Sequence, residues 1–266
     1  MQLLIGVLLA IVVAALAWKV RALSRSGVLA AVLTGGLIFG LGGLPWAALL
    51  MTFFISSSAL SRAFKGRKAS LAEKFSKGSQ RDWGQVMANG GLGALLALIY
   101  STTHQTEWLW LAFAGAMAAV NADTWSTELG VLSPISPRLI TTGKTVERGT
   151  SGGITFLGTL SSLAGAALVG IVAVIFIPFA ELLPSLGLIV LAGLLGSLFD
   201  SILGATVQAI YWCPTCNKET ERHPVHSCGS QTSQIRGWWW FNNDVVNFAC
   251  SVMGAIIAAG LWLIFR

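Results

Sequence analysis

Long apolar runs separated by short polar stretches dominate the chain. The apolar runs cover residues 3–17, 28–41, 46–60, 92–102, 108–120, 154–177, 186–203 and 248–265. The longest of them approach the roughly 20 residues that an α-helix needs to cross a bilayer core of ~30 Å. The pattern predicts an all-α fold, a polytopic membrane helix bundle with about eight transmembrane helices. A count of seven or nine helices is also compatible with the sequence, because the apolar runs between residues 28 and 60 are short and rich in glycine.

The composition supports this prediction. Of 266 residues, 55% are hydrophobic and only 11% are charged, which leaves too little polar surface for a water-soluble domain. We expect a single transmembrane domain over 1–266. The first apolar run lacks a basic n-region and a small-residue cleavage site, so it is predicted to be a retained helix.

The basic residues predict an orientation. With eight helices, every lysine and arginine except Arg266 falls on one side of the membrane. By the positive-inside rule that side is cytoplasmic, with both termini outside. The predicted cytoplasmic loops are 62–83, 126–153 and 212–240. The net charge of +6 follows from these loops and not from a basic helical face, so no nucleic-acid partner is expected.

Four acidic residues stand at or near predicted membrane boundaries: Asp123, Glu128, Asp200 and Asp244. A charge at the centre of a membrane helix costs roughly 2.5–3.5 kcal/mol, so such acids usually face a protein interior and bind ions or substrate. We expect them to converge. A straight helix places Asp123 and Glu128 about 140° apart, so that pair requires a helix break or a ligand approached from two directions.

Polar stripes accompany these acids on three predicted helices. Helical spacing aligns Gln85 with Asn89, Asp200 with Gln208, and Asp244 with Asn247. For the amides and glycines the alternative is hydrogen bonding between helices, which is common in membrane bundles. Arg81 lies within a turn of Gln85, from which it would reach an anionic substrate.

The segment 140–153 is rich in Gly, Ser and Thr and precedes a long apolar run. Glycines let backbone N–H groups approach an anion, and the following helix N-terminus favours negative charge. Its candidate phosphate-binding residues are Lys144, Arg148, Thr150, Ser151 and Gly152. A Walker A loop is excluded, because Arg138 occupies the position of its first glycine. The alternative is a flexible cytoplasmic linker.

A zinc knuckle is predicted in the last long loop, at 212–229. Cys213 and Cys216 form a C-x2-C pair, followed by His226 and Cys228. Four such ligands with no open position are typical of a structural zinc site. His223 is the rival fourth ligand, and a reduced dithiol or unrelated polar residues are the alternatives.

Several ordered motifs together resemble one known family, the integral-membrane family that includes plant phytyl-phosphate kinase. The similarity extends over most of the chain from about residue 20. It rests on Arg81, Gly84, Gln85 and Asn89; Asn121, Asp123, Thr124, Trp125 and Glu128; Pro137, Arg138 and Lys144; residues 149–155; Asp200, Ser201, Gly204 and Gln208; and Asn243, Asp244 and Asn247.

The resemblance implies a phosphotransferase, a Mg²⁺-dependent kinase with a nucleoside triphosphate donor, CTP in the first instance. The acceptor is a prenyl monophosphate such as phytyl phosphate, and the product is the diphosphate used in tocopherol or quinone synthesis. Membrane lipids are further partners, and the implied location is an inner, plasma or thylakoid membrane with a cytoplasmic active site. In this assignment Asp123, Glu128, Asp200 and Asp244 bind Mg²⁺; Asn121, Asn243 and Asn247 assist; Lys144, Arg148, Thr150, Ser151 and Gly152 hold the donor; and Arg81 and Asn89 hold the acceptor.

Other functions use similar residues. A lipid alcohol kinase or a CTP-dependent cytidylyltransferase would need the same metal and phosphate sites. A transporter would also use intramembrane acids, but the chain shows no repeated half, and its motifs cluster on one side of the membrane. Lipid chain length, nucleotide preference and oligomeric state are left open.

Overall fold

The computed structural model describes residues 1–265 except 65, 67–73, 76, 78–79, 104–106 and 179–180. Part of the predicted loop 62–83 and the terminal Arg266 therefore lie outside the described residues. Within the described part the chain is mainly helical. The helices are α1 (Gln2–Lys19), α2 (Arg25–Ala63), α3 (Trp83–Thr102), α4 (Glu107–Gly130), α5 (Phe156–Val174), α6 (Leu182–Thr206) and α7 (Asn243–Phe265).

Five of these helices, namely α1, α2, α5, α6 and α7, are long and apolar enough to cross a membrane. The predicted polytopic helical membrane protein is confirmed at this level. The helices α3 and α4 are not among the five. They carry the polar residues around Asn89 and Asp123, which turn toward the bundle interior.

Helix α2 folds back on itself. A straight helix of its 39 residues would be about 58 Å long. Gly43, two residues before Pro45, instead adopts φ 74° and ψ −161°, which breaks the helix into arms 25–42 and 44–63. At its start, Ser24 N–H donates to the Arg81 carbonyl at 3.0 Å. Near its end, Ser58 Oγ accepts from Arg81 Nη1 at 2.8 Å, so both ends meet at one residue.

Helix α4 occupies the centre of the bundle. Its residues from 109 to 122 are almost all buried, and it packs against α2, α3, α5, α6 and α7. Small residues permit this packing: a Cβ on Gly193 would lie 2.9 Å from the Ala118 Cβ, and one on Gly115 would collide with the Gly254 carbonyl. The acidic end of α4 is therefore shielded from lipid by protein.

Short strands lie in the connections, in addition to the predicted helical bundle. They are β1 (Arg138–Leu139), β2 (Gly153–Ile154), β3 (Ile210–Cys213), β4 (Lys218–Thr220) and β5 (Ser233–Arg236). Strands β1 and β2 form an antiparallel pair, and β4, β3 and β5 form an antiparallel sheet in that order.

Two helix ends differ from the bounds of the predicted cytoplasmic loops. Helix α4 continues through the acidic motif to Gly130, so the connection after it begins at 131, five residues later than the predicted 126, whereas α6 ends at Thr206, before the predicted 212. The apolar run of α4 stops before its helix does, because the last two turns of α4 face a polar cavity and not lipid.

The long connections meet at one end of the bundle, here called the loop end, formed by segments 20–24, 131–155 and 207–242 and by the described residues of 64–82. Lys74 joins three of them. Its Nζ lies 2.8 Å from Glu147 Oε2, and its carbonyl accepts from the Glu221 N–H at 2.9 Å. The loop end is thus an organised layer over the helix ends.

Candidate functional site

A cavity of about 870 Å³ opens at the loop end. Its size is within the ~300–1,000 Å³ typical of ligand sites. It is bounded by the ends of α2, α4 and α6, the starts of α3, α5 and α7, and the glycine-rich segment. The cavity brings together eleven of the predicted residues: Arg81, Asn89, Asp123, Glu128, Arg148, Thr150, Ser151, Gly152, Asp200, Asn243 and Asn247.

Asp123 and Glu128 both line the cavity from an unbroken α4. The helix break that the sequence left open therefore does not occur between them, and a ligand approached from two directions stays a prediction. Glu128 is buried, and its Oε1 accepts a 2.7 Å hydrogen bond from Ser61 Oγ on the second arm of α2.

Asp200 faces the same cavity from α6. Its Oδ2 is buried, and no donor in the described part of the chain hydrogen-bonds to it. No lysine or arginine among the described residues forms an ion pair with Asp200 or Asp123. A buried acceptor without a partner costs about 1–3 kcal/mol, and more when it is charged. These oxygens are therefore suited to a cation.

Asp244 lies beside the cavity and does not line it. Its Oδ2 pairs with Lys77 Nζ, which also lies 3.0 Å from Asp82 Oδ1. Burial acts to lower the pKa of Lys77, but hydrogen bonds to Asp244 and Asp82 raise it above the ordinary value. The charge of Asp244 is thus already compensated, so its predicted ligand role needs the lysine to move. Sequence reasoning missed Lys77 as the partner.

The glycine-rich segment packs tightly on α6. Gly152 adopts φ +83°, and a Cβ there would lie 2.5 Å from the Ala205 backbone nitrogen. Thr155 then caps α5, because its Oγ1 accepts from Gly158 N–H at 2.9 Å. The segment therefore brings backbone groups and a helix N-terminus to the cavity wall, an arrangement suited to phosphate.

Arg81 is held firmly at the start of α3. Its Nη1 and Nη2 donate to Ser58 and Ser57 hydroxyls at 2.8 Å each. Burial lowers the pKa of Arg81 to about 10, with the charge of Glu128 acting in the opposite direction. The guanidinium therefore stays cationic at neutral pH and faces the cavity.

Besides Asp244, two further predicted site residues do not line the cavity. The Asn121 amide donates to the Gly165 carbonyl at 2.8 Å and accepts from Ser56 Oγ at 2.9 Å, so it joins α4 to α5 and α2. The amide of Asn121 thus makes hydrogen bonds between helices. Lys144 is exposed in the β-turn region near Gly143, outside the cavity wall.

Glu221 is an acid that sequence reasoning missed. It follows β4 and lines the cavity, where its Oε1 accepts from Gln208 Nε2 at 2.9 Å and from Ser151 Oγ at 3.3 Å. The polar stripe through Asp200 pointed to Gln208. No periodic signal exists for Glu221, because it reaches the cavity from an irregular loop.

Four side chains of the last loop form a cluster that could hold a metal ion. The ligand atoms of Cys213, Cys216, His226 and Cys228 all lie within 4.8 Å of one another. Cys216 Sγ lies 3.4 Å from His226 Nδ1, and Cys213 Sγ lies 3.6 Å from Cys228 Sγ. His223 instead stacks on Tyr211, with 4.5 Å between ring centroids. The predicted fourth ligand is therefore His226.

Several known proteins are similar to this chain over most of its length. Protein PGR of Arabidopsis thaliana is 35% identical over 280 residues, covering 97% of this chain and 95% of that protein. An uncharacterized membrane protein of Methanocaldococcus jannaschii is 34% identical, covering 96% of this chain and 92% of its own. Protein VTE6, chloroplastic, of Arabidopsis thaliana is 27% identical, covering 90% of this chain and 65% of its own.

No solved structure matches the chain. The description "Integral membrane protein DUF92" matches residues 8–255, which is nearly the whole sequence. The resemblance drawn from the motifs is confirmed, and the chain belongs to the integral membrane family DUF92.

Proposed function

We propose that this protein is a Mg²⁺-dependent kinase that transfers a phosphoryl group from a nucleoside triphosphate to a prenyl monophosphate. The phosphorus–oxygen bond to the β-phosphate of the donor breaks as a bond to an oxygen of the acceptor monophosphate forms. The products are a nucleoside diphosphate and a prenyl diphosphate. CTP is the donor to test first.

One observation carries the proposal: the cavity combines unpaired acids with groups suited to phosphate. Asp123 and Asp200 line it without an ion-pair partner in the described structure. Arg81 and the turn at Gly152 line the same cavity. Phosphoryl transfer needs positioning and charge compensation more than covalent help from the protein. A cavity of this type supplies both.

The acids fit magnesium. Mg²⁺ takes hard oxygen ligands and binds through one or two carboxylates together with substrate phosphates. Asp123, Asp200 and Glu128 would hold it, and the buried Asp200 Oδ2 without a donor is the observation that supports this fit. When bound, the ion would offset negative charge on the transferred phosphoryl group. Asp244 would contribute only after release from Lys77.

The remaining residues position the two substrates. Arg148, Thr150, Ser151 and Gly152 would hold the phosphates of the donor, with the α5 N-terminus behind them. Arg81 and Asn89 would hold the acceptor phosphate, and Asn243 and Asn247 would contribute amide contacts. No general base is required, because a monophosphate oxygen is already nucleophilic.

The choice of a lipid acceptor rests on the sequence resemblance to the family that includes plant phytyl-phosphate kinase. Membership of that family is shown, whereas the substrate is our proposal. The position of the cavity favours an enzyme over a transporter, since it opens at the loop end and not midway along the helices.

We further propose that eight segments cross the membrane. Counting the two arms of α2 separately gives eight helical segments in the described chain. All described lysines and arginines lie at or next to the loop end, which by the positive-inside rule is cytoplasmic. The membrane would be an inner, plasma or thylakoid membrane.

The ion of the Cys3His cluster is proposed to be structural zinc. Tetrahedral zinc with Zn–S bonds of ~2.3 Å separates its sulfur ligands by about 3.8 Å. The 3.6 Å between Cys213 and Cys228 sulfurs is close to that value. Four ligands leave no open position for substrate.

A transfer assay tests the function. Purified protein is incubated with Mg²⁺ and each of the four nucleoside triphosphates, labelled either at the γ- or at the α-phosphorus. The acceptor is farnesyl or phytyl monophosphate or, in parallel reactions, the corresponding free prenyl alcohol. We expect γ-label in the prenyl diphosphate. Label from the α-position would indicate nucleotidyl transfer, and phosphorylation of the free prenyl alcohol alone would indicate an alcohol kinase; either result refutes the proposed reaction.

A further inference from the structure

A second, smaller cavity, here called the groove, lies between α1, both arms of α2 and the start of α3. Its volume is about 70 Å³ and its walls are almost entirely apolar. Among the described residues of its wall, Thr34 alone carries a hydroxyl, which donates to the Ala30 carbonyl at 2.9 Å. The groove therefore has nothing to offer a polar ligand along its length.

The groove joins the polar cavity. Arg81, Gln85 and Asn89 line both spaces, so the groove begins where the cavity wall ends. On α1 it extends from Ala17 to Ala10, a depth of about 10 Å at the helical rise per residue. Ala14 and Ala17 are buried within it and are small, which keeps the space open.

Arg81 forms the polar mouth of this groove. Its guanidinium contacts only neutral groups among the described residues: the Ser57 and Ser58 hydroxyls, and the rings of Phe53 and Phe54, each 5.6 Å from the guanidinium carbon. No described carboxylate lies within 4 Å of it. No described carboxylate touches this buried cation, and only the more distant charge of Glu128 acts on it, so an anion at this point would be stabilised.

We infer that the groove holds the tail of a single-chain lipid monophosphate, with the phosphate at Arg81 and the tail segment nearest the phosphate between α1 and α2. This inference rests on the proposed function, whose acceptor it places. Its volume of about 70 Å³ admits part of one chain and excludes the two tails of a phospholipid. The apolar walls supply affinity for the tail, and the shared polar mouth directs the phosphate into the cavity that holds the acids.

Photolabelling tests the inference without turnover. The full-length protein in nanodiscs, without nucleotide, is exposed to farnesyl monophosphate that carries a diazirine on the isoprene unit nearest the phosphate. We expect labels on groove residues such as Ala14, Phe54 and Val86. Unlabelled farnesyl monophosphate should remove them, whereas inorganic phosphate and a two-tailed phosphatidic acid should not. Labels confined to lipid-facing residues, or equal displacement by phosphatidic acid, would overturn the inference.

Neighbouring alanines provide a matched pair. Ala14→Phe fills the groove, whereas Ala15→Phe adds the same ring on the exposed face of α1. Groove labelling should fall at least tenfold in the first variant and stay unchanged in the second. Equal labelling in both variants would refute the tail site.

A second variant tests the inference independently, in case Ala14→Phe does not fold. Arg81→Gln retains hydrogen-bonding capacity without charge, and it should abolish the preference of the groove for farnesyl monophosphate over farnesol. A retained preference would refute the role of Arg81. The outcomes also separate the two proposals: groove labelling without phosphoryl transfer refutes only the kinase, and transfer that Ala14→Phe leaves intact refutes only the groove.

Discussion

The side-chain amide of Gln208, just after α6, donates a 2.9 Å hydrogen bond to Oε1 of Glu221, which follows β4. The contact joins a helix that carries Asp200 to the loop that carries the Cys3His cluster. Because Glu221 also lines the cavity, the loop that carries the Cys3His cluster contributes to the cavity wall. A structural metal at the cluster is therefore expected to influence chemistry in the cavity.

Loss of the cluster should impair the site through Glu221. We predict about one zinc per chain in protein purified without added metal, and its loss in Cys216→Ser, measured by elemental analysis. Turnover should fall with it, because the β3–β4 hairpin that holds Glu221 loses its anchor. Glu221→Gln should keep the zinc and still lower turnover by about 10–100-fold, the range for disturbing groups that orient a metal site.

Cys250 provides the control for that experiment. It is buried in α7, outside the cluster, so Cys250→Ala should retain the zinc. Full zinc content in Cys216→Ser would show that the four ligands have been assigned wrongly. Unchanged turnover in Glu221→Gln would remove this residue from the site.

Neutralising the unpaired acids should abolish activity. Asp200→Asn and Asp123→Asn preserve shape but remove the charge that would bind Mg²⁺. We expect each to lower kcat by at least about 100-fold, since a metal supplies several kcal/mol and 1.36 kcal/mol corresponds to tenfold. Titration with Mn²⁺, followed by electron paramagnetic resonance, should show weakened binding.

Glu147→Gln provides the control, because it removes an exposed acid outside the cavity and should change neither kcat nor Mn²⁺ binding. Near-normal rates in the aspartate variants would contradict the metal site.

Two glycines with the same backbone conformation should respond differently to alanine. Gly152 and Gly143 have φ +83° and +67°, so an alanine at either costs about 1–2 kcal/mol. Only at Gly152 would the new Cβ also collide with Ala205; at Gly143 nothing lies within 4 Å. Gly152→Ala should therefore raise KM for the nucleotide at least tenfold while Gly143→Ala leaves it near the parent value. Similar KM values would argue against donor binding at this turn.

Topology can be tested by labelling introduced cysteines in intact cells with a membrane-impermeant maleimide. Lys144→Cys lies at the loop end and should remain unlabelled until the membrane is opened. Thr102→Cys lies at the opposite end of α3 and should be labelled directly. The unmodified chain provides the background from the four native cysteines. Labelling of Lys144→Cys from outside would refute the cytoplasmic assignment.

Much of the fold follows from local pattern. Apolar length predicted the helices, since a backbone in lipid must satisfy its hydrogen bonds within each segment. The break in α2 follows from Gly43 and Pro45. The hydrophobic pattern did not predict where a helix ends when its last residues are polar. Helix α4 continues to Gly130 because its last two turns face a cavity. Hydrophobicity along the sequence does not record which neighbour a residue faces.

For the site, the sequence by itself determined the chemical groups: the acids Asp123, Glu128 and Asp200, the glycine-rich turn and the Cys3His ligands all come from spacing and residue type. Tertiary structure alone decided how these groups are used. It assigned the amide of Asn121 to neighbouring helices, paired Asp244 with Lys77, and brought Glu221 to the cavity wall. The physical reason is that periodicity specifies the face of one helix, whereas partners are chosen by packing between segments far apart in the chain.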